Sequence, residues 1–306
     1  MTQAHGPSSF AEVLDRPFGL LKAHARALIR VPLALMVPGA AAVGAAQSLA
    51  QNVMTAPESA GPFASGLALL AFYGITLAFL VVQMVASLAA YAGVKKALDG
   101  ERVTVGGSYR EALRIRALGT TLLAGIVVGL GLLCCIAPGI ILMIYFAFVI
   151  PIVVEGGLGG ADALSRSFTL VRYNPQRNFV RSTSLKVFLL FLVMTAIGYA
   201  FALLLGLPVI VVNMLTTFRA AARGYVDGFP AWWPIFGALQ QVLFSAVRSV
   251  TMLYSAAAFT MFYRETRERM EGVALEKALL ERIETSRAPV SFPDVPAPGG
   301  GEGAGA

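Results

Sequence analysis

Residues 117–154 read ALGTTLLAGIVVGLGLLCCIAPGIILMIYFAFVIPIVV, without one Lys, Arg, Asp, Glu or His, and are bracketed by Arg116 and Glu155. A bilayer core of about 30 Å is crossed by about 20 helical residues, so this stretch is too long for one crossing. Pro138-Gly139 supplies a tight turn inside it. It therefore reads as an apolar hairpin, with a third run over Ala117–Ala137 and a fourth over Ile140–Val154. The fourth run is short. The hairpin is either fully membrane-crossing or partly re-entrant, and both versions return the chain to the side it came from.

Four further runs surround this hairpin. The first is Pro32–Asn52, where Ala40, Gly44 and Ser48 recur four apart and allow close helix contact. A loop over Val53–Pro62 carries Glu58 and no Lys or Arg. The second run, Phe63–Val94, is longer than a bilayer needs and has to tilt or protrude. The third run contains Gly125 and Gly129 at GxxxG spacing. The fifth starts near Val187, with a kink expected at Gly206 and Pro208. It ends before Arg219 and is followed by a loop around Tyr225–Pro230. The sixth starts after Trp232 and Trp233, placed where an interfacial aromatic belt belongs, and ends at Tyr263.

The whole composition agrees. The chain has 57% apolar and 13% charged residues, against about 25% charged in soluble domains. Too few charges remain to coat a water-facing surface, so lipid takes that place. The net charge of +7 comes from basic residues flanking apolar runs. No basic face with interleaved aromatics lies elsewhere, which argues against nucleic acid as a partner.

Segments between the runs are amphipathic. Ser9 and Glu12 fit a capping box, and Pro17 predicts a break with a second helix starting there. Phe10, Val13, Leu14, Phe18, Leu21, Ala25 and Leu28 recur at helical spacing opposite Arg16, Lys22, Arg26 and Arg30, as in a helix lying on a membrane surface. Tyr109–Leu118 and Ala161–Val171 read the same way, so a basic amphipathic helix precedes an apolar hairpin three times. Ser9-Phe10, Ser108-Tyr109 and Ser167-Phe168 echo one another across this pattern. The N-terminal segment carries charges throughout, unlike a cleavable signal peptide. Of the 24 Lys and Arg, 21 lie near the start, in the two basic segments at Lys95–Arg116 and Arg166–Lys186, or after Tyr263. The positive-inside rule then places both ends in the cytoplasm.

The expected fold is all-α: a polytopic six-helix transmembrane bundle with cytoplasmic amphipathic interfacial helices. Its divisions are a cytoplasmic segment 1–31, a membrane domain 32–264, a charged helix 265–286 and a disordered Pro- and Gly-rich tail 287–306.

Two patches carry a family resemblance. One runs from Pro138-Gly-Ile-Ile-Leu through Phe146-Ala-Phe-Val-Ile-Pro151, Val154-Glu155-Gly and Ala161-Asp-Ala-Leu-Ser-Arg166-Ser167 to Leu170-Val-Arg172. The other is Phe262-Tyr263-Arg264 to Arg269-Met-Glu271-Gly272. Together they resemble the membrane domain found with glycerophosphoryl diester phosphodiesterases and in related stand-alone bacterial membrane proteins, over roughly Phe10–Glu276. The resemblance implies a multi-helix protein of a bacterial inner membrane. It does not imply diesterase activity, which in such proteins belongs to a separate barrel with metal-binding acids and paired histidines. This chain has two histidines, His5 and His24, and no segment polar enough for a barrel.

Four residues are candidates for a functional or structural ion pair: Glu155, Arg166, Arg172 and Arg248. Glu155 ends the fourth run and is expected to hold the helix carrying Arg166 or Arg172 against the bundle, to join a head-group site, or to be an ordinary interfacial carboxylate. Arg248 falls inside the sixth run, with no acidic residue deep in any other. Either it snorkels outward, with Pro234–Phe244 lying along the interface, or it faces a wet cavity. Gln83, Asn213, Gln240 and Gln241 suit interhelical hydrogen bonds.

No catalytic group, cofactor site or metal site is expected. Walker, HExxH and Ser-His-Asp patterns are absent from the sequence, and the adjacent Cys134 and Cys135 read as small packing residues. The partners expected are lipid, including anionic head groups, and unnamed membrane proteins. This leaves a non-enzymatic scaffold or lipid- and envelope-associated component as the first reading. A transporter, channel or lipid-moving protein is the second. A polar cavity lined by Glu155, Arg248 or Gln83 favours the second, and a dry, packed interior counts against it.

Overall fold

A computed structural model describes residues 10–55, 57–173, 182–223 and 233–287. These residues are all-α, with nine helices among them: α1 (Phe10–Thr55), α2 (Pro57–Leu98), α3 (Val105–Ala112), α4 (Ile115–Cys134), α5 (Ile136–Tyr145), α6 (Val149–Gly156), α7 (Gly160–Arg172), α8 (Thr183–Arg223) and α9 (Trp233–Arg287). Six segments are long and apolar enough to cross a membrane: Phe10–Ala50, Gly66–Leu98, Arg116–Cys134, Ile136–Gly156, Thr183–Val212 and Ile235–Gly272. The chain divides into two units, one through Thr266 and one from Arg267.

The helices run longer than the apolar runs. The expected boundary at residue 31 falls inside α1, as does the expected break at Pro17. The residue that leaves helical geometry is His24, with φ −118° and ψ 18°. Pro17 keeps helical geometry within α1, and the kink in that helix comes at His24. Of the expected apolar face, Val13 and Leu28 are buried, Phe10, Leu14 and Leu21 are half-buried, and Phe18 and Ala25 are exposed, as are Arg16, Lys22, Arg26 and Arg30. The Tyr254 hydroxyl donates to Leu14 O at 2.6 Å, tying this segment to α9. The stretch expected as a loop, Val53–Pro62, is helical through Thr55 and again from Pro57. Pro208 is carried inside α8. The expected charged helix 265–286 is the continuation of α9 to Arg287, where Arg267 pairs with Glu271 at 2.8 Å. Ser9, Arg177, Arg181, Trp232, the loop at Tyr225–Pro230 and the tail beyond Arg287 lie outside the described residues.

The central hairpin turns earlier than its proline suggests. Cys135, in extended backbone, separates α4 from α5, and Pro138 sits in the first turn of α5, where a missing N–H costs nothing. Gly139 and Gly131 let the two helices touch, since a Cβ on Gly131 would stand 3.2 Å from the Gly139 Cα. Cys134 and Cys135 are exposed, not packed inside.

The fourth crossing is broken at Phe146–Phe148. Pro151 explains the place. It offers no N–H to the carbonyl four residues back, at Ala147, and its ring crowds that carbonyl. A break inside an apolar hairpin leaves backbone groups that lipid does not satisfy. Ser167, fully buried on α7, meets two of them. Its hydroxyl donates to Tyr145 O at 2.7 Å and accepts from the Phe148 N–H at 3.3 Å. Ala163, Ser167, Leu170 and Val171 form the buried stripe of α7, and Phe168 stacks on Tyr145 at 4.5 Å. In the earlier Ser-aromatic pair on α3 the serine bonds within its own helix, to Thr104 O at 3.0 Å, and the tyrosine makes the long-range link. Ser108 is fully buried, and the Tyr109 hydroxyl donates to Val31 O at 2.8 Å. Burial pushes that hydroxyl up to about 12, so it remains a donor through the physiological range.

The stripe Ala40, Gly44 and Ser48 on α1 makes the close contact its spacing suggests. Ala40 and Ser48 are buried, and a Cβ on Gly44 would stand 2.5 Å from Gly237 O of α9. Gly125 and Gly129, by contrast, have nothing within 4 Å. The GxxxG pair is therefore not a contact within the described fold.

Two predictions follow from this packing. Gly44→Leu lowers the melting temperature in detergent and Gly125→Leu leaves it unchanged, read by light scattering or circular dichroism. Ser167→Ala costs about 1–3 kcal/mol, the penalty for orphaned buried backbone groups, read from denaturant unfolding in mixed micelles.

Candidate functional site

Polar chemistry concentrates in two places in the unit through Thr266. The first is a charged layer where α2, α3, α6 and α9 meet. Glu155 lies in the last turn of α6, its side chain 8% exposed. A carboxylate there is opposed by burial and by the helix dipole. Arg264 of α9 compensates, its Nε donating to Glu155 Oε1 at 2.5 Å and its Nη2 to Asp99 Oδ1 at 2.8 Å. Beside it, Lys95 Nζ pairs with Glu111 Oε1 at 3.1 Å and donates to Val154 O at 2.9 Å, while Lys96 approaches Glu111 Oε2 at 3.8 Å. Lys95 and Lys96 in the last turn of α2 also suit its dipole.

This corrects the expected partner of Glu155. Neither Arg166 nor Arg172 holds it. The buried stripe of α7 points Ala163, Ser167, Leu170 and Val171 inward, so Arg166, half-buried, and Arg172, exposed, stand off that face. Gly157, left-handed at φ 64°, ends α6 just past Glu155 and redirects the chain before α7 begins. Asp99 and Arg264 are the residues sequence reasoning missed as a pair. Arg264 lay in a patch already singled out by resemblance, but nothing local links it to a carboxylate 165 positions away.

The second place is a cleft of about 680 Å³ lined from α1, α2, α8 and α9. Gln83, Thr195, Tyr199, Gln241, Ser245 and Arg248 bring polar groups to it, against Met36, Phe79, Phe201 and Phe244. α9 runs unbroken through 234–244, and Arg248, itself exposed, lines the cleft. Gln241 Nε2 donates to Gln47 Oε1 at 3.3 Å and Ser245 Oγ to Met36 O at 3.1 Å, fastening α9 to α1 below and beside it. The Asn213 side chain lies outside the described ones.

Depth follows from helix rise. Gln83 is twelve residues from Lys95 along α2, about 18 Å, and Arg248 sixteen from Arg264 along α9, about 24 Å. With the charged layer at one head-group level, the cleft lies within the hydrocarbon. On that scale the Arg248 backbone lies near the far side of a core of about 30 Å, where a guanidinium costs less than at the bilayer centre because its side chain reaches toward the opposite head groups. Among the described residues, no group of three or more His, Cys, Asp or Glu comes together.

The fold is that of a multi-pass α-helical membrane protein, and its helices share a cleft that carries Arg248. The chain matches no family model, no curated protein and no solved structure.

The charged layer gives a graded prediction. Arg264→Ala orphans two carboxylates and destabilises most, Glu155→Gln less, and Asp99→Asn least because Asp99 is the most exposed of the three. Thermal unfolding of the three purified variants in one detergent reads the order.

Proposed function

We propose that this protein is a non-enzymatic, lipid-handling component of a bacterial inner membrane, which admits a lipid-like molecule sideways from the bilayer into the Arg248 cleft and holds or moves it without covalent chemistry. One observation carries this reading. Arg248 and six polar side chains, Gln83, Thr195, Tyr199, Gln241, Ser245 and Thr251, converge on one cleft between apolar helices, with otherwise apolar walls. Such a surface is costly in lipid unless it meets an amphiphile or water. Tyr199 (69% exposed) and Phe201 (42%) line the same cleft. On a membrane-crossing helix that exposure is contact with acyl chains, which supports lateral entry. The broken crossing at Phe146–Phe148 and the proline in α8 fit a protein whose helices line a site.

A second reading, a scaffold working through partners, rests on other residues. Phe168, Leu113 and Leu158 are exposed apolar side chains close to the charged layer, where a head-group surface or a partner helix would cover them. The resemblance to the membrane domain of diesterase-like proteins is part of the proposal and agrees with either reading. So does the cytoplasmic placement of both ends, supported by the one-sided Lys and Arg.

Reconstitution decides between them. Full-length protein in vesicles with a fluorescent phospholipid is expected to speed its transfer between leaflets over protein-free vesicles. Inert vesicles, with a membrane protein that co-purifies stoichiometrically, would instead support the scaffold. Reporter fusions at Gly100 and Gly159 are expected on the cytoplasmic side and at Glu58 on the opposite side.

A further inference from the structure

We infer that the Arg248 cleft is a binding site for a phospholipid of net negative charge, its phosphate on the Arg248 guanidinium and an acyl chain along Phe79, Phe201 and Phe244. This rests on the lipid-handling reading above and adds the class of lipid.

Charge decides the class. No ion pair engages Arg248 among the described residues, and the cleft lining contains no Asp or Glu. A guanidinium with free donors matches a phosphate with two parallel hydrogen bonds. A zwitterionic head would also bring an ammonium, and no carboxylate lines the cleft to receive it. A net-anionic head brings no such unmatched charge. The polar neighbours add donors rather than opposing charge: Gln83, Gln241, Thr195 and Tyr199 all carry N–H or O–H groups.

Shape and depth decide for a lipid over a free anion. Arg248 lies about 24 Å of helix rise from the charged layer, so about 6 Å of a 30 Å core separates it from the opposite head groups. An extended arginine side chain spans that interval. A lipid of that leaflet, drawn slightly inward, places its phosphate at Arg248 while its chains remain beside α8. Inorganic phosphate would have to leave water for an aromatic-walled cleft without chains to compensate.

Native mass spectrometry of the full-length protein, with phosphatidylglycerol and phosphatidylcholine added in equal amounts, tests this. The wild-type protein is expected to retain phosphatidylglycerol about tenfold over phosphatidylcholine. Arg248→Gln is expected to abolish that preference, and Arg248→Lys to keep most of it. Millimolar inorganic phosphate should not displace the lipid. Equal retention of the two lipids by the wild-type protein overturns the proposal without needing any variant. So does an unchanged preference in a folded Arg248→Gln protein, or displacement by inorganic phosphate. Leaflet transfer without lipid preference would overturn this proposal and leave the broader function standing. Arg248-dependent phosphatidylglycerol binding without transfer would support it and remove the movement.

Discussion

One guanidinium fixes how the charged end of this membrane protein is put together. Arg264 holds Glu155 at the end of α6 and Asp99 just past the end of α2, so three separate crossings terminate on a single side chain. α2 and α6 bring their carbonyl ends there, and each carbonyl end carries partial negative charge, while α9 passes through with Arg264. Two carboxylates added to that field repel it and one another. The fold is stable in this arrangement because Arg264 and the neighbouring Lys95 and Lys96 supply the opposing charge at the same level. The aromatic contact above it, Phe148 against Phe262 and Tyr263 with ring centroids 5.6 and 6.1 Å apart, repeats the α6–α9 connection in apolar form.

That connection requires the fourth crossing to be broken. A straight helix from Ile136 would carry Glu155 on from the direction of α5. With the break at Phe146–Phe148, α6 takes its own direction and buries Val149, Ile152, Val153 and Val154. Pro151 sets the position of the break and Ser167 satisfies the backbone it exposes. The short amphipathic helix α7 is thus a structural partner of the membrane hairpin and not simply a float at the surface. Its serine sits where a purely apolar residue would leave two peptide groups stranded in a dry environment.

Much of this was legible from residue order alone, and the limits have physical causes. Six apolar helices long enough to cross, the close-contact stripe of α1 and the buried stripe of α7 are local properties, set by apolar length and helical spacing. The turn at Cys135, the helical passage through Pro17 and the idle Gly125–Gly129 pair were not legible. Proline and glycine permit a conformation or a contact, and the surrounding packing decides whether it is used. Ion-pair partners were misassigned for a different reason. Glu155 was matched to the nearest arginines in sequence, whereas pairing depends on which helix faces which. Glu155 and Arg264 stand 109 positions apart in the chain and still meet. The convergence of Gln83 and Arg248 on one cleft likewise needed the arrangement of α2, α8 and α9.

The backbone contact between Gly44 and Gly237 has a bearing on biosynthesis. These glycines belong to the first and the last membrane crossings, so α1 is already in the bilayer while most of the chain is still on the ribosome. Its glycine-bearing side has to wait for α9, the final crossing to be inserted, before it gains its native neighbour. Until then the Gln47 amide and the Met36 carbonyl lack the partners that α9 provides. The close backbone contact of α1 with α9 therefore belongs to a late stage of assembly.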